Sequence, residues 1–510
     1  MIYQKKLSTG EFSVLYKSTN LNNVMLICPG IGYSKVGPYF LLSNIAQSLY
    51  KSKKNVMIFD YFGLGDSDGD YISLSYQRIV KSSQNVLLYL REIGYRRIVL
   101  IGLGIGNLVC NELCMEPDVS GMCLIDYTPT AFSSSQMMKI RNMVGLVSET
   151  YTHPVPEGKF DYKKDILYNY KKCKYPVYCI DSKVLGGISK LFNSLNPDNW
   201  NDEVELAKVW EQIGSKVVEW VLQNEVENPK PIKNSSLRVI ENNRSNVGME
   251  ELIEIDGLQG IFYKASTFAI GESRTCVIYE PGLGGERVDH MRVGVLAARK
   301  LSENGFFFLR YDFYGCGVSE GEFYKFRWSD KFYKLQTIME YLKIRYDIRN
   351  FIILSYSEGA KTAIRACKQC DAVKAAIMWS PVLINGFINY QGLQEEDRKK
   401  IELPKFIKDK KRGIVLPTQA YYLGLNYFID QKENQLYENL IENDKPIKVL
   451  YGERDVLFER KVYLSKNIKV ECEALDAEHL FDYKNTYIAI DKSLDFLKRV
   501  FHDKGEDKNV

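Results

Sequence analysis

The sequence predicts an α/β chain made of two tandem copies of one unit, each a mostly parallel sheet flanked by helices. Three observations predict it. The first is an internal repeat. Cys28–Tyr71 and Glu280–Phe323 each span 44 residues and align without a gap at an offset of 252. Pro29, Gly30, Gly32, Asp60, Gly63, Gly65, Ser67 and Gly69 recur as Pro281, Gly282, Gly284, Asp312, Gly315, Gly317, Ser319 and Gly321. A period this long marks a duplicated domain, since solenoid repeats are far shorter. The second observation is a set of short, continuous apolar runs alternating with helix-like segments, the pattern of buried parallel strands in βαβ units. The third is size: 510 residues with 45% hydrophobic and 26% charged content suffice for more than one core.

Each element follows in order. In the first copy Val24–Cys28 reads as a strand that ends in a Pro-Gly loop, and Val56–Phe59 as one that ends at Asp60 and a Gly-rich turn. Ile98–Ile101 and Met122–Ile125 read as the next two strands. Their counterparts are Cys276–Tyr279, Phe306–Tyr311, Phe351–Leu354 and Ala375–Trp379. The second copy opens with a hairpin, Leu252–Lys264, turning at Asp256-Gly257. The polar stretch 226–248, with Pro229, Pro231 and several Asn and Ser, is expected to link domains 1–225 and 249–510. About sixty residues, 384–444, exceed what one connection needs, and are expected to form a helical cap. Its Phe387, Tyr390, Phe406, Tyr421, Tyr422, Leu423, Tyr427 and Phe428 either line a site for an acyl chain or aromatic acid, or pack the cap onto the sheet.

Composition excludes several classes. There are 68 Lys plus Arg against 64 Asp plus Glu, a net of +4, too little over this length for a nucleic-acid surface. No long like-charge run suggests a polybasic membrane patch, and no apolar run reaches the roughly 18 residues of a membrane span. Eleven scattered cysteines, an odd number, fit a reduced, cytoplasmic chain better than a disulfide framework. No apolar segment follows Lys5 and Lys6, so no secretory signal is expected.

The copies diverge at the turn after the third strand. In the second copy this is Ser355-Tyr356-Ser357-Glu358-Gly359, close to the G-x-S-x-G elbow that lifts one hydroxyl clear of a sheet edge. Ser355 replaces the first glycine. Downstream, Lys448–Tyr451 reads as a strand followed by Gly452-Glu453-Arg454-Asp455. Val470–Glu473 reads as the last strand, followed by Ala477-Glu478-His479. The chain has four His, and one falls where a general base is expected after a nucleophile and an acid. Ser357 is thus the candidate nucleophile and His479 the base. Asp455 is the candidate acid, with Glu453 and Asp476 as competitors. His290 is a candidate substrate contact or a cleft-lining residue.

Pro281-Gly282-Leu283-Gly284, Asp312-Phe313-Tyr314-Gly315-Cys316-Gly317-Val318-Ser319, the Ser357 elbow, Gly452-Glu453-Arg454-Asp455 and Glu478-His479 together resemble α/β-hydrolases of the serine-aminopeptidase or monoacylglycerol-lipase-like branch. The likeness in motifs covers most of 252–499, and the likeness in fold most of 1–222. That branch carries His-Gly in the first loop, where this chain has Pro281-Gly282. The resemblance implies an oxyanion hole from the backbone N–H groups of Leu283 and Glu358.

The first copy lacks this chemistry. Its turn is Gly102-Leu103-Gly104-Ile105-Gly106, with Gly104 at the serine position one residue out of register. His153 precedes the strand near Tyr175–Ile180, so the serine–acid–histidine order is not available. The glycines do not make a dinucleotide loop, because Asn107 stands in the last glycine's place. Cys367-x-x-Cys370 has no second pair spaced for zinc. No cofactor and no metal are expected. The expected function is a serine hydrolase that attacks an ester or thioester, taking a small-molecule acyl substrate. The alternatives are a small-peptide peptidase, for which Glu358 is the only hint, and a non-catalytic scaffold, which Ser355 and Pro281 would favour.

Overall fold

The apolar runs become strands because each has enough consecutive Val, Ile, Leu and aromatic residues to be covered on both faces. In a computed structural model the chain divides into units Met1–Ser245 and Asn246–Val510. The structure describes residues 1–30, 34–71, 74–127, 175–181, 200–224, 230–232, 249–265, 274–383, 407–418, 421–433, 443–458, 460–463 and 470–502.

In the first unit the strands are β1 (Ile2–Lys6), β2 (Phe12–Tyr16), β3 (Asn23–Cys28), β4 (Val56–Asp60), β5 (Arg97–Leu103), β6 (Val119–Tyr127) and β7 (Val177–Asp181). Their order across the sheet is β1-β2-β4-β3-β5-β6-β7. The β1–β2 and β2–β4 pairs are antiparallel, and the others are parallel. The helices Leu41–Lys51, Tyr76–Glu92 and Ile105–Leu113 alternate with β3 to β6. Tyr76–Glu92 is capped by Ser75, whose hydroxyl accepts from Arg78 N at 3.3 Å. The stretch expected to be a linker contributes to this unit. Leu21 bridges Pro231, Asn22 N donates to Lys230 O at 2.7 Å, and Ile232 is buried in the core.

In the second unit the main sheet's strands are β8 (Glu250–Ile255), β9 (Leu258–Tyr263), β10 (Thr275–Glu280), β11 (Phe307–Tyr311), β12 (Asn350–Tyr356), β13 (Val373–Trp379), β17 (Ile447–Gly452) and β18 (Glu471–Leu475), and three short strands, given below, are inserted after β13. The order is β8-β9-β11-β10-β12-β13-β17-β18, which repeats the first unit's order and adds one strand. From β11 through β10, β12 and β13 to β17 and β18 all pairs are parallel. The expected hairpin is β8–β9, with Asp256 and Gly257 both at positive φ. The helix Trp328–Tyr346 buries Trp328, Phe332, Leu335, Met339 and Leu342, one stripe at helical spacing. The part of 384–444 that is described adds a sheet to the helix expected there. β14 (Ile407–Asp409), β15 (Gly413–Thr418) and β16 (Tyr421–Gly424) form an antiparallel sheet, followed by the helix Leu425–Glu433. Phe387, Tyr390 and Phe406 lie outside the described residues. Among the described residues no helix is long and apolar enough to cross a membrane.

The recurring Asp and Gly of the repeat have one cause. Asp60 accepts from the backbone N–H of Lys35 and of Asp66, and Asp312 from those of Arg287 and Val318. Ser67 and Ser319 donate to the carbonyl oxygens of those aspartates, each at 2.7 Å. Gly65 and Gly317 sit at φ 52° and 54°, and a Cβ on either would overlap the aspartate's carboxyl group. Gly65→Ala or Gly317→Ala should therefore cost about 3 kcal/mol, through overlap and strained φ together. Calorimetry should show a midpoint lower by roughly 6–12 °C. Gly413, with φ 82° and nothing near an added Cβ, is the control: alanine there should cost only about 1 kcal/mol.

Candidate active site

Ser357 follows the parallel β12 directly and precedes the helix Gly359–Gln369. Its φ is 49°, in the region that L-residues avoid, and its N–H donates to Trp379 O at 2.9 Å. The turn is sharp because the helix starts hard against the neighbouring strand end. A Cβ at Gly359 would overlap the Glu280 carbonyl. The loop after β10 runs beside the serine: a Cβ at Gly282 would stand 3.0 Å from Ser357 Cβ and 3.5 Å from its Oγ.

The two partners arrive from the far end of the sheet. Asp455 follows β17 and His479 follows β18. His479 Nε2 lies 3.0 Å from Ser357 Oγ, and His479 Nδ1 lies 3.0 Å from Asp455 Oδ2. Asp455 is buried, and its other oxygen accepts from Leu457 N at 2.9 Å. Of the competitors, Glu453 is exposed, and Asp476 is exposed and engages Arg454. The acid loop and the histidine loop are tied backbone to backbone, with Arg454 N donating to Ala477 O at 3.0 Å. Leu283 stands on the loop after β10, and Glu358 is the residue after the elbow serine.

Beside the His290 and Glu358 named from sequence stand Tyr356, Asp289 and Tyr279, whose roles the sequence did not indicate. Tyr356 is buried, and burial holds its phenol well above the usual range. The hydroxyl donates to His479 O at 2.9 Å and accepts from Phe481 N at 2.8 Å, pinning the histidine loop to the elbow. His290 packs edge-on against the Tyr356 ring, with centroids 4.8 Å apart. Its Nδ1 is 3.2 Å from Asp289 Oδ1, and Asp289 also accepts from the Tyr279 hydroxyl at 2.8 Å. Burial raises the Asp289 carboxyl, but the His290 contacts and the Tyr279 hydrogen bond outweigh it, and the net shift is downward. Under the loop after β10, burial pushes the Glu280 carboxyl up to about 7, against the pull of Lys331 and of the Tyr311 hydroxyl. Glu358, the sequence's hint of a peptidase, has its Oε1 committed to Lys361 at 3.0 Å and to the Tyr427 hydroxyl at 2.7 Å. Glycine at 282 and 359 was legible, but the buried charges carried no periodicity that would separate them from surface residues.

In the first unit the corresponding turn holds Gly104, at φ 57° and ψ −117°, before the helix Ile105–Leu113. Gly106 abuts the Cys28 carbonyl as Gly359 abuts that of Glu280. The offset is thus 253 at the elbow and along the strand that leads into it, β5 or β12, and 252 up to β3 and β10 and the start of the helix before that strand. His153 lies outside the described residues. Cys367 is buried and Cys370 half-buried. Among the described residues no cluster of His, Cys, Asp or Glu is placed to hold a metal ion.

The sheet order and a family match together support a serine hydrolase of the α/β type for the second unit. A family described as serine aminopeptidase, S33, matches residues 273–393, the stretch that holds β10 to β13 and the elbow. No curated protein matches the chain. Among solved structures, Est1E from Butyrivibrio proteoclasticus with ferulic acid bound is 21% identical, over 48% of this chain and 98% of that one, at a TM-score of 0.37. An esterase from Pyrococcus furiosus is 19% identical over 49% of this chain and 91% of its own, at 0.36. Mouse alpha/beta hydrolase domain-containing protein 10 is 15% identical over 50% and 100%, at 0.38.

Proposed function

We propose that the second unit cleaves an ester or thioester through an acyl-enzyme on Ser357, and passes the acyl group to water or to an alcohol or amine. The observation that carries this is the continuous line Ser357 Oγ, His479 Nε2, His479 Nδ1, Asp455 Oδ2, with both contacts at 3.0 Å on a strained elbow. His479 takes the serine proton as Oγ attacks the carbonyl carbon, and then returns it to the leaving group. Buried Asp455 fixes the imidazole's tautomer and compensates the imidazolium that forms. The N–H groups of Leu283 and Glu358 receive the charge that develops on the carbonyl oxygen. Hydrolysis and acyl transfer use the same residues and differ only in the acceptor. A peptidase would need a free carboxylate for the substrate's amino terminus, and Glu358 is charge-paired with Lys361, which favours the ester or thioester reading.

The first unit is proposed to be a copy without a nucleophile. Gly104 keeps the elbow's backbone, and a Cβ there would meet only Gly30 Cα, at 4.0 Å. Among the described residues of the first unit no His follows it.

The test is intact mass after treatment with a fluorophosphonate. One adduct per chain is expected, and none in Ser357→Ala. Gly104→Ser should fold and still give one adduct, since an elbow serine without a base is not activated. An unlabelled wild type would remove the reading.

A further inference from the structure

Two ammonium–carboxylate pairs are buried beneath the loop and the elbow that carry Leu283 and Glu358. Lys331 Nζ donates to the Pro281 carbonyl oxygen at 2.8 Å and lies 3.9 Å from Glu280 Oε2, while Glu280 Oε1 accepts from the Tyr311 hydroxyl. One turn into the elbow helix, Lys361 Nζ donates to Glu358 Oε1, which also accepts from Tyr427 of the inserted helix Leu425–Glu433. The four charged side chains are between 0% and 5% exposed.

The chain supplies its own control. At the offset of 252, Cys28, Phe59 and Ile79 stand opposite Glu280, Tyr311 and Lys331. At the offset of 253 that holds at the elbow, Ile105 and Leu108 stand opposite Glu358 and Lys361. All five apolar residues belong to the first unit's hydrophobic core. The loop carbonyl still finds a donor there, but a neutral one: the Tyr61 hydroxyl donates to Pro29 O at 3.0 Å, and Phe313 is its counterpart in the second unit.

Burying an ion pair costs desolvation that its attraction barely offsets, and well-packed apolar residues of similar size usually serve the fold as well or better. The first unit shows this layer built without charges. The buried pairs therefore need a reason other than stability, and they occur in the copy that has the triad. We propose that Glu280–Lys331 and Glu358–Lys361 are positioning pairs, which hold the two peptide groups proposed to bind the oxyanion. Lys331 grips the loop one peptide ahead of the Leu283 N–H through a charge-assisted bond, stiffer than a hydroxyl would give. Lys361 and Tyr427 fix the side chain of the residue whose own N–H is the second donor. This rests on the serine-hydrolase reading above.

The test moves the first unit's solution into the second. Glu280→Cys with Lys331→Ile in the full chain should leave the thermal midpoint unlowered, and should slow fluorophosphonate labelling of Ser357 by roughly 10- to 100-fold, somewhat less than loss of an oxyanion donor. Adding Phe313→Tyr, which returns a donor to the Pro281 carbonyl, should recover a large part of that rate. Labelling at the wild-type rate in the double variant would overturn the positioning role and leave the hydrolase reading standing. So would a slowing matched by loss of folded protein and not rescued by Phe313→Tyr. A wild type that does not label would overturn the hydrolase reading, and this role with it.

Discussion

Ser357→Ala is expected to lower kcat on the order of 10⁶-fold, and His479→Ala in the same chain should cost almost nothing more. The reason is geometric. In the proposed mechanism the serine proton passes to His479 across a 3.0 Å contact, so neither side chain acts without the other. Asp455→Asn should fall short of this, by about 10⁴-fold, because the imidazole remains in place but its preferred tautomer is wrong. Each would be measured as kcat on an ester turned over by the labelled wild type, with circular dichroism to show retained fold. A double variant far slower than either single one would mean separate roles. Retention of more than a few per cent of the rate in Ser357→Ala would move the chemistry elsewhere.

The sequence exposes the triad candidates because the chain is poor in histidine and because nucleophile, acid and base fall in that order just after the strands β12, β17 and β18. It exposes the repeat because Asp60 and Asp312 need glycine beside them and backbone N–H groups around them, and such constraints leave invariant spacing. The elbow's register was less legible. A gapless offset sets Ile105 opposite Ser357, whereas the contacts of Gly106 and Gly359 with the preceding strand end put Gly104 there. The antiparallel β1–β2 pair was also missed, because Ile2–Lys6 is half polar and its partner lies across a five-residue turn. Tyr356 could not be read as a loop anchor, since its hydroxyl meets His479 only 123 residues later in the chain. The buried lysines and glutamates look like surface residues until the two copies are compared position by position.

The same comparison predicts where the first unit is most easily broken. Lys35 Nζ donates to Asp60 Oδ2 at 2.9 Å and to Asp66 Oδ2 at 2.7 Å, all three side chains are fully buried, and the ammonium lies 5.0 Å from the Phe12 ring centroid. Lys35→Met would leave two neighbouring carboxylates with no buried cation opposite them, a loss of about 3–5 kcal/mol. The first unit's unfolding midpoint should fall by roughly 10 °C. The second unit has Arg287 at this position but Val318 opposite Asp66, one carboxylate fewer. Arg287→Met should accordingly cost less, since Asp312 keeps its two backbone donors. The decisive variant borrows that arrangement. Lys35→Met with Asp66→Val removes the cation and the extra anion together, and leaves Asp60 on the N–H groups of residues 35 and 66. It should regain more than half of the lost stability, measured by calorimetry. If it is no better than Lys35→Met, the lysine acts through packing against Phe12, and the charge balance of the pocket is not what the fold requires.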